Sequence, residues 1–229
     1  MSAKRLLIYI GALAGVMVGL AAIERYTEDG LRLLVSSPIA RTLGTSEYSV
    51  VEWLQVLALV VIAALSWRAM RLSRTQRPLA AMGMAVAAAA FCRELDFFLD
   101  AYLFDHAWQV LVAIIAVVAI VFAVRHRRAL TASWVRAVQQ PPMVLMVLGV
   151  SLLLVFAPVL GSEGLWQSLM GDDYVRVAKI AAEELAELAG YWLWLIGQIE
   201  FTLSCRRQHA MDAPERERRR GERRRRKRK

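Results

Sequence analysis

Apolar residues come along this chain in long blocks, not in the alternation of a strand or the one-faced repeat of a surface helix. A helix needs about 20 such residues to cross roughly 30 Å of hydrocarbon. Six blocks approach that length, at 6–23, 48–67, 78–97, 107–124, 143–160 and 185–203. The pattern predicts an all-α integral membrane protein, a six-transmembrane-helix bundle over residues 1–205 followed by a tail at 206–229. Charges interrupt the third block at Arg93, Glu94 and Asp96 and the sixth at Glu187, so these two helices are expected to turn polar faces toward protein. The fourth and fifth carry almost no polar side chains and read as lipid-facing periphery. Residues 81–90 are nearly all Ala, Gly and Met, which allows close approach and predicts a central place for the third helix.

Composition agrees with the blocks. With 58% apolar and 21% charged residues and a mean hydropathy of +0.42, the chain is too apolar for an ordinary soluble domain of 229 residues. Its net charge of +9 belongs to the tail, which holds 13 basic and 4 acidic residues and leaves 16 of each sign in the body. Sorted by the sides of the predicted spans, 23 basic residues fall on one side and six on the other, the latter with 15 of the 20 acidic residues. Short cytoplasmic loops are enriched in Lys and Arg, so both termini are expected in the cytoplasm and the protein in the cytoplasmic, or inner, membrane.

The first block follows Lys4 and Arg5 and ends near Ala21 and Ala22, a layout shared with cleaved signal peptides. Its 18 residues exceed the roughly 7 to 15 of a signal-peptide core. Gly11, Gly15 and Gly19 recur every four residues and offer a helix–helix contact, unless the spacing is chance in a Gly/Ala-rich span. The longest outer loop, 24–47, includes an apolar stretch fit for an interfacial or re-entrant segment broken at Pro38.

Counting about 20 residues from each arginine-marked end places charges of the second, third and sixth helices at one depth. Glu52, Arg93, Glu94, Asp96, Glu184 and Glu187 form this candidate ligand or ion cluster. Arg93, Asp96 and Asp100 fall on one helical stripe, with Glu94 about 100° away. Glu187, with Glu184 second, is the expected partner of Arg93, because an unpartnered guanidinium in a span costs several kcal/mol. Each residue also has a plainer reading. Glu52 stands three after Ser49, the spacing of a capping box, and Asp172 or Asp173 reads as the N-cap of the sixth helix. Glu183, Asp100, Asp105 and His106 read as solvated, Glu200 as a partner of Arg206 or Arg207, and Tyr191, Trp192 and Trp194 as aromatic packing or cavity lining.

Absences narrow the chemistry. Of three histidines only His106 lies near the cluster, so a structural zinc site and a haem are not expected. Carboxylates suit a divalent cation, with Glu94, Asp96 and Glu187 as candidate ligands, or protons. Catalytic residues are unknown, as no nucleophile with its base can be identified, and Cys92 and Cys205 are expected as free thiols. The lipid bilayer is the main partner. Arg223, Arg224, Arg225, Arg226 and Lys227 in a disordered tail are expected on anionic lipid, nucleic acid being the less favoured polyanion. Three functions follow. The first is binding or transport of a cation or proton-coupled solute; the second is a carboxylate-based, metal-dependent membrane hydrolase or transferase. The third is a non-catalytic assembly or accessory subunit.

Overall fold

The computed structural model describes residues 50–213 and, ahead of them, positions 5, 7–9, 11, 12, 14, 15, 18, 19 and 22, all helical. The expected loop at 24–47, the Ser49 side of the capping box and the polybasic part of the tail lie outside the described residues. So do eight of the 18 positions of the first block.

The described residues are helical and contain no strand. Helix α1 spans Val50–Leu72, α2 Arg77–Glu94, α3 Asp96–Tyr102, α4 Ala107–Arg125 and α5 Arg127–Val138. Helix α6 covers Pro141–Ser151 and runs through a π-helical turn, Leu152–Phe156, into α7, Ala157–Leu160. The short α8, Glu163–Met170, and a 3₁₀ turn, Gly171–Asp173, lead to α9, Arg176–Met211. The π turn sits just before Pro158, whose missing N–H removes an ordinary helical bond, and the Ala157 N–H reaches back to the Leu152 carbonyl instead.

Among the described residues, three helical stretches are long and apolar enough to cross a membrane: Val51–Leu72, Ala107–Arg125 and Pro141–Leu160, the last continuous through the π turn. Six were expected; the first block lies only partly within the described residues, and for the third and sixth the difference has a physical cause. The third and sixth blocks do form helices, but α2 is Ala-rich and carries Arg93 and Glu94, and α9 carries Glu183, Glu184, Glu187 and Glu200. Neither has the uninterrupted apolarity of a lipid-exposed span.

Centrality also differs from expectation. The middle of the bundle is α9, with α1 on one flank and α6 on another, while α2 packs on α1 and α4 lies outside α2. The core joins Leu59 and Ile62 of α1, Ala87 of α2, Leu153 of the π turn, and Tyr191, Trp194 and Leu195 of α9. Helix α4 is peripheral as expected. Helix α6 is not, because glycines bring its backbone against α9: a Cβ on Gly149 would lie 2.6 Å from the Gly190 carbonyl oxygen, and one on Gly197 would lie 2.8 Å from that of Pro142. At 36 residues, α9 is about 54 Å long, well beyond one hydrocarbon thickness.

One end of the bundle gathers the arginine-bearing termini. Ser133 of α5 donates to the Thr75 carbonyl between α1 and α2 at 2.6 Å, and His209 Nδ1 of α9 lies 2.8 Å from the Leu72 carbonyl oxygen. The expected N-cap role of Asp172 or Asp173 is corrected. Both residues sit in the 3₁₀ turn, and α9 starts after Val175 with no side-chain cap.

Because the α6–α9 contact leaves no room for a side chain, Gly190→Val should destabilise by about 1–3 kcal/mol. Gly164→Ala, whose Cβ would meet nothing within 4 Å, should leave thermal unfolding in detergent unchanged. Equal melting temperatures for Gly190→Val and the wild type would refute the close approach.

Candidate functional site

A cavity of about 200 Å³ opens at the end of the bundle away from the arginine-bearing termini. Glu52, Arg93, Glu94, Asp96, Glu184 and Glu187 all line it, together with Trp53, Val56, Leu95, Phe97 and Phe98. The residues singled out by depth along three separate blocks therefore share one space.

Local backbone explains how α2 delivers three charges to it. The helix does not run on through Leu95, which takes φ −106° and ψ 19°, and α3 begins at Asp96. The continuous stripe expected for Arg93, Asp96 and Asp100 is thereby interrupted, and Glu94, expected about 100° away, turns to the same cavity as Arg93. Asp96 Oδ1 accepts from the Phe97 N–H at 2.7 Å, which occupies one lone pair in the first turn of α3. Asp100 is not fully solvated as expected, since its Oδ1 is buried. Asp105 and His106 are exposed.

From α9, Glu187 accepts from Arg93 Nη2, the pairing expected from the depth count. The bridge is asymmetric: the Glu187 side chain is 5% exposed and that of Arg93 45%, so the carboxylate is fixed inside while the guanidinium reaches the cavity mouth. Glu184 accepts from Gln55 Nε2 of α1 at 3.0 Å, and Tyr191 donates its hydroxyl to Glu94 at 2.6 Å. A buried carboxylate without a donor costs several kcal/mol, and each of these three has one. Trp53 meets Phe98 edge-on with centroids 6.2 Å apart, and Phe97 meets Phe98 at 5.9 Å, forming an aromatic side to the cavity. Glu183 stands apart and pairs with Lys179 at 3.4 Å.

Gln55 escaped the sequence reading, although a lone amide three residues after Glu52 in an apolar helix was a usable signal. Tyr191 was read as packing or lining, and its hydroxyl does more by anchoring Glu94. Glu200 was matched with the wrong cations. It is buried and accepts from Arg5 at 3.2 Å and from the Tyr9 hydroxyl at 2.8 Å, because α9 turns it toward the N-terminal helix and away from Arg206 and Arg207.

Below the cavity the packing becomes dry. Ala58, Leu59, Ile62, Ala87, Leu153, Trp194 and Leu195 close the space between α1, α2 and α9. Buried polar side chains resume farther along, at Ser66, Gln198, Glu200 and Thr202.

The donor set is acidic, aromatic and anchored at one level. No group of three or more His, Cys, Asp and Glu among the described residues is placed to hold a metal ion, so Glu94, Asp96 and Glu187 do not form a metal triad in this geometry. Comparison with known protein families, characterised proteins and solved structures finds no match to this chain.

Proposed function

We propose that the chain is a six-span protein of the cytoplasmic membrane with both termini inside, and that its outward-facing cavity binds a small organic cation as the capture step of transport. One observation carries the reading: five carboxylates and a single arginine line one cavity of about 200 Å³. Among the described lining residues Arg93 is the one cationic side chain against five carboxylates, and it is bridged to Glu187, so the cavity wall carries an excess of acid. A concave site of one sign in low-dielectric surroundings concentrates ligands of the opposite sign. Trp53, Phe97 and Phe98 add faces that attract an alkylammonium, for which a bare divalent ion has less use. The lack of a converging ligand triad among the described residues favours an ammonium over a dehydrated metal in the same way.

The topology rests on the 23 to 6 division of basic residues and on the meeting of arginine-bearing helix ends at one pole. In this scheme α2 with α3, and the part of α9 beyond Glu184, cross as shielded helices whose polar groups face the bundle. Glu187, Gln198, Glu200 and Thr202 are all buried. A second reading, an accessory subunit whose charges only fix helix register, is favoured by the one-to-one Arg93–Glu187 bridge.

Three measurements decide. Reporter fusions after Gly44 and Ser162 should report the outer side, and those after Arg74, Arg128 and Arg207 the cytoplasm; one reversed position refutes six spans. Tetramethylammonium should raise the melting temperature of the detergent-solubilised chain saturably, by mass action on the folded state, beyond sodium at equal ionic strength. Glu94→Gln and Glu184→Gln should fold and lose that response. If magnesium alone stabilises saturably, a metal site replaces the ammonium site; if neither cation does, the accessory reading stands.

Arg93→Leu should cost about 1–3 kcal/mol by leaving Glu187 without its donor, less than a fully buried pair would because Arg93 is half exposed. Adding Glu187→Gln should recover part of that loss. Small, additive effects would mean that the two side chains are solvated independently.

A further inference from the structure

A second cavity, of about 430 Å³, lies at the arginine-bearing pole between α1, α2 and α4. Its walls are apolar, with Met70, Pro78 and Phe122, and its polar groups are Arg74, Arg77 and His126. Arg74 and Arg77 are exposed, and neither forms a salt bridge with a carboxylate among the described residues. Helix α2 starts at Arg77 with no side-chain cap and no acidic residue in its first turn, so the positive end of its dipole adds to the two guanidinium groups. The His126 ring is stacked on Phe122 at 4.4 Å, and its Nδ1 lies 3.0 Å from the Phe122 carbonyl oxygen. That contact fixes the imidazole beside the arginines and leaves Nε2 outside it.

Cationic groups over an apolar wall, at the level where α1 and α4 end their apolar stretches, match one class of ligand. We propose that this cavity holds the phosphate of an anionic phospholipid headgroup, bound by Arg74 and Arg77, with the lipid chains descending along Met70 and Phe122. Basic pockets between helices at this depth select such headgroups. Free phosphate would satisfy the charges and leave the apolar wall bare, so the lipid is the occupant. The site is separate from the carboxylate cavity and does not depend on what that cavity binds.

The test uses the full chain in neutral detergent, titrated with phosphatidylglycerol and read by native mass spectrometry. The wild type should retain one phosphatidylglycerol in preference to phosphatidylcholine, and inorganic phosphate should not displace it. Arg74→Gln with Arg77→Gln should weaken that retention by roughly thirtyfold, while the charge-matched pair Arg127→Gln with Arg128→Gln, also exposed, should change it by less than about threefold. All variants keep the basic tail, so binding there cancels in the comparison. If the double variant fails to fold, Arg74→Gln alone should still weaken retention by roughly fivefold. Equal weakening by the control pair would reduce the effect to diffuse attraction and overturn the site. Equal retention of phosphatidylcholine, or displacement by inorganic phosphate, would overturn the lipid headgroup as its occupant.

Discussion

Contact between α6 and α9 sets the position of nearly every group that matters in this bundle. Gly149 meets the Gly190 carbonyl and the Trp194 backbone at distances that admit no side chain. With α9 held that closely on one flank and by α1 on another, Glu184 and Glu187 stand at a fixed height and Tyr191 just beneath them. Small residues are the usual way for helices in lipid to gain packing energy, since lipid tails leave little apolar driving force between them. Here the same contact also aims the chemistry.

The carboxylates then impose their own constraint. Each one drawn into the bundle needs a donor, and the donors come from different helices: Arg93 from α2 for Glu187, Gln55 from α1 for Glu184, Tyr191 from α9 for Glu94. These cross-links tie α1, α2 and α9 at one level, so stability and site geometry are not separable there. The break at Leu95 belongs to the same arrangement, because it re-aims Asp96, the first residue of α3, relative to Arg93 and Glu94 in the last turn of α2.

Much of this was legible in the sequence for a simple reason. Arginines mark one end of each apolar block, and the rise per residue converts position into depth, so the common level of Glu52, Arg93, Glu94, Asp96, Glu184 and Glu187 could be counted. Rotation about each helix axis was less legible. Glu200 lies six residues from the arginine at 206, yet it points to Arg5 and Tyr9, a choice made by the side of α9 that faces the N-terminal helix. Helix burial escaped as well. Helix α6 looks as apolar as α4, and only the meeting of Gly149 with Gly190 and of Pro142 with Gly197, pairs more than 40 residues apart, separates an inner helix from an outer one. The Leu95 break had no signal, because neither Gly nor Pro marks it.

The dry layer of Leu59, Ile62, Leu153, Trp194 and Leu195 has an electrical consequence. In a membrane under voltage, potential falls across insulating material and hardly at all across a water-filled vestibule. Under the proposed topology most of the drop is therefore focused on this thin apolar slab, below Glu94 and Glu187 and above Gln198 and Glu200. A cation resting among the carboxylates would have traversed little of the field, and its occupancy would depend only weakly on voltage. Any motion that wets the slab would expose that ion to the remaining drop, at about 2.3 kcal/mol per charge for each 100 mV.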